Sequence, residues 1–410
     1  MEITKEINED YTVKIEEGFI TAIDKKEFID SFCYLKNTNG DKTTIEKLGY
    51  EYRQLAENIL IIEQLMREIG QSKGDIFSIE EHERCFGKRE YTRKRIICSQ
   101  SDIFNTMRQC FNCYDPIYHI RGFFPSHQLN PYIDVFFRKL EVFPYDDLKS
   151  FLENSEPRPN EDGWLPEAVE MLNGFVDGIR NEVNSKAFKE IIYEHQRKTK
   201  KNHDSLMKYI DRLFGRHSRL LVLRIDLGYG KKDERHDYSY YLKPQEDDDI
   251  DIEKKCQQAQ QHRENLFNNM RSNKLFEHLC GFAWRLEYGV MKGFHFHTLF
   301  FFDGAKVQND VLIARKIGEY WVDVITKGSG IYYNCNANKK DYQYLGIGMI
   351  NHTETELIEN LKEKVSSYLV KPDYYVKMAL TDKKARTFGK GQIKPKNNRG
   401  RPRVKKAKRL

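Results

Sequence analysis

The sequence predicts an α+β fold in which helices cover a mostly antiparallel sheet, preceded by a mainly helical N-terminal region. Three observations carry this expectation. Leu220-Leu-Val-Leu-Arg-Ile-Asp-Leu227 is an apolar run bounded by Gly215 and Gly228, the pattern of a central strand. Residues 282–288 and 294–302 are two aromatic-rich runs joined by a glycine-punctuated connection, the pattern of a hairpin. Around them, segments of helical spacing give the order strand, helix, hairpin, helix, strands, helix.

Residues 1–40 mix polar and apolar side chains without a clear period. Thr43-Thr-Ile-Glu46 has the form of a capping box, and Gly70 follows the last periodic position. Between them Leu48, Tyr52, Leu55, Ile59, Ile62, Met66 and Ile69 alternate at spacings of four and three, which predicts an amphipathic helix. Residues 75–152 hold shorter elements and a basic cluster, Lys88-Arg-Glu-Tyr-Thr-Arg-Lys-Arg95, either a DNA contact or a solvated charged face. Pro157, Pro159, Asn160 and Gly163 mark a loop, and helices resume from Leu165 to about Gly215.

In the strand 220–227, Arg224 and Asp226 share one face. A polar excursion follows, with Tyr238-Ser-Tyr-Tyr241 suited to stacking on single-stranded bases or to ordinary loop packing. The acidic run 246–249 reads as a solvated loop. A polar helix is expected over 252–274. After the hairpin, a helix starts at Asn309 or Asp310 with Val311, Leu312, Ile317, Tyr320, Trp321 and Val324 inward. Short strands are expected around 331–335 and 345–350. Thr353-Glu-Thr-Glu356 has the form of a second capping box, opening a helix whose stripe is Leu357, Ile358, Leu361, Val365, Tyr368 and Leu369. The domain reading is therefore a mainly helical region over 1–185, a sheet domain over 186–382, and a tail over 383–410.

The tail is a separate feature in charge. It carries 13 Lys or Arg and no Asp or Glu; the net charge of the 410 residues is +6, so the rest is close to −7. Interspersed Gly, Pro and Asn predict a segment disordered until it meets a polyanion, for which nucleic acid is the favoured partner. Nothing approaches a membrane span, and the acidic start Met1-Glu-Ile-Thr-Lys-Glu is unlike a secretory signal. Eight cysteines without regular spacing point to free thiols in a reducing cytoplasm. Cys110 and Cys113 form a close pair, and Cys85, Cys98 or His119 are the candidates to complete a zinc site with it.

The hairpin holds the chemistry. His295 and His297 alternate with Phe296 and so share a face. Phe282, Trp284, Leu286 and Tyr288 take one face of the first strand, leaving Arg285 and Glu287 on the other. With a turn centred near Met291, Glu287 lies opposite His295 or His297. Two imidazoles and a carboxylate then form a three-ligand metal site with open positions. Tyr368-Leu-Val-Lys371 adds a phenol with an ammonium one helical turn away, and a nearby cation favours the ionised, nucleophilic phenol.

His295-Phe-His297 followed by this Tyr-x-x-Lys resembles the HUH endonucleases, the superfamily of rolling-circle initiators, relaxases and related transposases. Leu223-Arg-Ile-Asp-Leu227, Trp284-Arg-Leu-Glu-Tyr-Gly289, Gly293-Phe-His-Phe-His297, Gly346-Ile-Gly348, Tyr368-Leu-Val-Lys371 and Arg386-Thr-Phe-Gly389 more narrowly resemble the YagK/YfjJ-type family, associated with replication proteins of inoviruses and their prophages. The resemblance covers about residues 215–391. It implies a ferredoxin-like or RRM-like sheet core and a nickase that cuts one strand of single-stranded or origin DNA. It further implies a 5′-phosphotyrosine, a free 3′-hydroxyl, and Mg²⁺ or Mn²⁺ held by Glu287, His295 and His297. Tyr368 with Lys371 is the first candidate nucleophile pair. Tyr375 is a second, and Tyr374-Tyr-Val-Lys377 repeats the spacing. No Gly-x-x-x-x-Gly-Lys-[Ser/Thr] is present, so unwinding would fall to a host helicase and synthesis to a host polymerase. The alternatives are a non-catalytic DNA-binding regulator and a relaxase-like or transposase-like enzyme.

Overall fold

The structure is a computed structural model. It describes residues 29, 34–39, 42–47, 49–86, 89–111, 116–124, 127–157, 162–230, 248–289, 292–366, 369–370, 376–378 and 386–393. The architecture is α+β, with helices packed on antiparallel sheets.

The chain opens with a hairpin, β1 (Tyr34–Asn39) and β2 (Lys42–Lys47), in which Thr38 pairs with Thr43. The capping box expected at Thr43–Glu46 is therefore strand. Two β-branched threonines and Ile45 suit a pleated ladder better than a helix start. Helix α1 (Tyr50–Gln71) instead begins after Gly49, without a side-chain cap. Its expected stripe is correct in phase: Leu55, Ile59, Ile62, Met66 and Ile69 are all buried.

A two-stranded ribbon follows, β3 (Phe77–Phe86) with β4 (Arg89–Cys98). The described cations of the basic cluster on β4 face carboxylates. Arg95 pairs with Glu80 at 2.7 Å, Arg93 with Glu156 at 2.9 Å, and Lys94 with Glu81 and Asp162 at 3.5 and 3.6 Å. Then come α2 (Ser101–Phe111), α3 (Pro116–Phe123), β5 (His127–Leu129), α4 (Pro131–Val142), α5 (Tyr145–Glu153) and α6 (Leu165–Val183). Phe111, Phe136, Phe137 and Phe175 lie at the centre of their common core.

Helix α7 (Lys186–Phe214) links the two cores. Phe188 near its start belongs to the N-terminal core, and Leu206 to Phe214 near its end pack on the large sheet. That sheet contains β6 (Arg219–Tyr229), β7 (Leu279–Gly289), β8 (Gly293–Asp303), β9 (Gly330–Asn334), β10 (Gly348–Asn351) and β12 (Phe388–Lys390). The order is β12-β7-β8-β6-β9-β1-β2, with β10 beside the first half of β6, and every pairing is antiparallel. The N-terminal hairpin thus completes the far edge of the sheet through Thr38 and Tyr332, although it lies in the region read as a separate helical domain. A further link across that boundary is β11 (Val376–Met378), which pairs with β5.

One face of the sheet presents Leu221, Leu223, Ile225, Trp284, Leu286, Phe296 and Phe300 to α8 (Asp248–Asn269) and α9 (Asp310–Tyr320). The other presents Leu220, Val222, Ala283, Leu299 and Phe301 to the end of α7 and to α10 (Thr355–Asn360) with its π-helical extension Leu361–Val365. Two expectations for these helices fail. Ile317 and Trp321 are buried as expected, but Val311 and Val324 are exposed; after Tyr320 the helix widens into a π turn at Trp321–Ile325, which turns Ile325 inward in place of Val324. Thr353 caps nothing. Glu354 precedes α10, and its carboxylate accepts from the backbone N–H and the side-chain amide of Asn351. Within the segment read as a disordered tail, Phe388–Lys390 is an edge strand on β7. Among the described residues no helix is long and apolar enough to cross a membrane.

Candidate metal centre

The centre is built on three neighbouring strands. β7 and β8 pair as far as Gly289 and Gly293, the register expected of strands joined near Met291. Gly293 takes a φ of +62°, a conformation that glycine adopts without a Cβ clash. This register sets Glu287 opposite His295 and Arg285 opposite His297. On the other side of β8, His297 faces Asp226 of β6. Alternation then brings Glu287, Arg285, His295, His297 and Asp226 to one face, opposite the aromatic layer.

Both imidazoles are buried, His295 at 9% and His297 at 6% exposure, so their nitrogens need partners. Each Nδ1 has an oxygen acceptor: Nδ1 of His297 lies 2.7 Å from Asp226 Oδ1, and Nδ1 of His295 lies 3.1 Å from the Gly293 carbonyl. Nε2 is then the ring atom of each that faces inward, and it can serve as a ligand once it carries no proton. Both Nε2 atoms converge on the same oxygen, Glu287 Oε2, at 3.2 Å from His297 and 3.5 Å from His295. The other oxygen, Oε1, lies 2.7 Å from Arg285 Nε.

The charges follow from these contacts. Burial alone would raise the Glu287 pKa, but His297 and Arg285 hold its carboxyl well below the usual range. Asp226 is likewise lowered, by His297 and Arg224 against the effect of burial. Burial lowers His295, with the Glu287 hydrogen bond opposing. Burial would also lower His297, yet the carboxylates of Asp226 and Glu287 raise it to about 9.

These residues fit a divalent cation. The ligand atoms of Glu287, His295 and His297 all lie within 4.8 Å of one another. An octahedral ion with bonds of about 2.1 Å separates adjacent donors by about 3 Å, close to the 3.2 and 3.5 Å between Glu287 Oε2 and the two Nε2 atoms. Two imidazoles and one carboxylate leave further positions open. An oxygen partner on the far nitrogen of each imidazole is the usual support of a metal-binding histidine.

Glu287, His295 and His297 are thus brought together as their spacing predicts. Tyr368, Lys371, Tyr374 and Tyr375 lie outside the described residues, as do residues 238–241 and Cys113. Among the described residues, no cysteine belongs to a group that could hold a metal ion. Sequence reasoning missed Asp226 and Arg285 as site residues. Both signals were present, as single charges alternating with apolar residues inside buried strands.

Comparison with curated proteins and with solved structures yields no match. The family model of the YagK/YfjJ C-terminal domain matches residues 182–391, a span that begins at the end of α6 and closes just beyond β12. That span is just over half of the 410 residues and contains the whole centre, and the chain belongs to the YagK/YfjJ C-terminal domain family.

Proposed function

We propose that this protein is a metal-dependent HUH-type nickase, a rolling-circle replication initiator of an inovirus-like element. The observation that carries the reading is the convergence of the two Nε2 atoms and Glu287 Oε2, each imidazole held by an oxygen at Nδ1. A DNA-binding regulator has no use for such a ligand set on a buried sheet face. In this reading the antiparallel strands β7, β8, β6 and β9 form the HUH core.

A bound Mg²⁺ or Mn²⁺ would polarise the scissile phosphate. Glu287, His295 and His297 would hold it, and Asp226 keeps the His297 tautomer correct for that task. The Tyr368 hydroxyl, favoured in its ionised form by Lys371, attacks phosphorus. The new bond joins phosphorus to the phenol oxygen as the bond to the 3′ oxygen breaks. The products are a 5′-phosphotyrosine and, after protonation, a 3′-hydroxyl that primes a polymerase. Tyr375 is the second candidate for the same step. Leu369, the next residue after Tyr368, has its carbonyl bonded to Arg285 of the centre. The reading implies a cytoplasmic protein that works on single-stranded origin DNA with a host helicase.

The test is cleavage of labelled single-stranded DNA with Mn²⁺ and with a chelator. The wild type should cut only with the metal. His297→Ala should bind DNA but not cut. Normal cutting by His297→Ala, or cutting in the chelator, would refute the reading.

A further inference from the structure

Arg285 is 2% exposed and sits on the sheet face that also carries Ala283 and Leu299. Removing a guanidinium from water is costly, and an apolar side chain of similar volume would fill the position more cheaply. Its contacts give the reason for its presence. Nε lies 2.7 Å from Glu287 Oε1, while Nη1 donates to the Leu369 carbonyl at 3.2 Å. The two oxygens of Glu287 are therefore divided, Oε1 toward Arg285 and Oε2 toward both imidazoles. Nη1 holds the Leu369 carbonyl by a directed hydrogen bond, while Nε and Oε1 meet as a close buried ion pair with no hydrogen bond between them. One planar guanidinium thus contacts the carboxylate by charge and the carbonyl by its N–H.

We propose that Arg285 is a positioning residue for the metal centre: it sets the rotation of the Glu287 carboxylate and ties the backbone at Leu369 to it. The proposal rests on the metal reading given above and extends it to the segment after α10. Leu369 is itself anchored there, its N–H bonded to the Ser366 carbonyl at 3.0 Å. Docking of that segment and orientation of the ligand carboxylate are then one event, because the same side chain serves both.

The sign of one measurement separates positioning from mere charge. A cation beside Glu287 repels a divalent ion. If Arg285 contributed only charge or bulk, a neutral replacement would leave metal affinity unchanged or raise it. If it orients Glu287, the replacement lowers affinity. Lysine keeps the charge but lacks the planar fork, so it should fail as well.

The experiment titrates Mn²⁺ into the full chain and into Arg285→Gln and Arg285→Lys. Thermal unfolding serves as the control for folding, and hydrogen exchange reads the peptide containing Leu369. Expected are an at least tenfold weaker Mn²⁺ Kd in both variants and faster exchange at that peptide. Should Arg285→Gln fail to fold, Arg285→Lys carries the same test. Equal or tighter Mn²⁺ binding in a folded variant overturns the positioning role and leaves the metal centre standing. A wild type without Mn²⁺ affinity overturns the metal reading and this proposal together.

Discussion

Asp226 on β6 and His297 on β8 stand directly opposite each other, with Oδ1 and Nδ1 2.7 Å apart. This contact places the carboxylate behind the imidazole, on the side away from Glu287. In a metal-bound ring it would keep the proton on Nδ1 and leave Nε2 as the ligand atom. Arg224, two residues earlier on the same face, lies 3.9 Å from the same carboxylate oxygen.

Asp226→Asn keeps the size of the side chain and removes its charge. Mn²⁺ affinity should fall about 10- to 100-fold, the usual loss when such a support is removed. Calorimetric titration measures it, and unchanged affinity would mean that Asp226 only packs the strand pair.

Metal binding should depend on pH through His297. Its pKa is raised to about 9, so at neutral pH the metal-free ring is protonated. A cation must displace that proton. Affinity should therefore rise about tenfold per pH unit on approach to pH 9, and level off above it. Calorimetry at pH 7.5 in two buffers of different ionisation enthalpy should show release of close to one proton. No release would show that the ring is neutral before the metal arrives.

The basic tail should act on affinity alone. Because Phe388–Lys390 completes the sheet edge, the informative truncation follows Ile393 and leaves that strand in place. It removes the nine Lys or Arg of residues 394–410. DNA binding should weaken for every sequence, and the slope of log affinity against log salt should become shallower. The phosphodiester that is cut should stay the same. An unchanged salt slope would assign the tail to another partner.

What could be read from the sequence was the part governed by local geometry. The alternation that separates Trp284 and Leu286 from Arg285 and Glu287 is a property of one strand, and the structure follows it. The spacing of His295 and His297 works in the same way. The role of Asp226 depends on β6 lying next to β8, a pairing between residues 71 apart that no local pattern encodes. The docking of the β1–β2 hairpin on the sheet was illegible for the same reason, since its partner Tyr332 is far along the chain. The Thr43–Glu46 motif misled because a Thr-x-x-Glu spacing also suits a strand, whereas the Thr353–Glu356 motif does mark the start of a helix but supplies no side-chain cap. Beyond α9 the inward position moved from Val324 to Ile325, at a π turn that shifts the register by one residue.

The central claim is covalent catalysis supported by the metal centre, and mapping the covalent adduct tests it most directly. Full-length protein is incubated with single-stranded origin-region DNA and Mn²⁺, denatured, digested and analysed by peptide mass spectrometry. The account predicts a nucleotide 5′-phosphate on Tyr368, within Tyr368-Leu-Val-Lys371, and no adduct from His297→Ala. An adduct on Tyr375 or Tyr374 would move the nucleophile and keep the mechanism. DNA that is bound but never joined to the protein, or an undiminished adduct in His297→Ala, would contradict it.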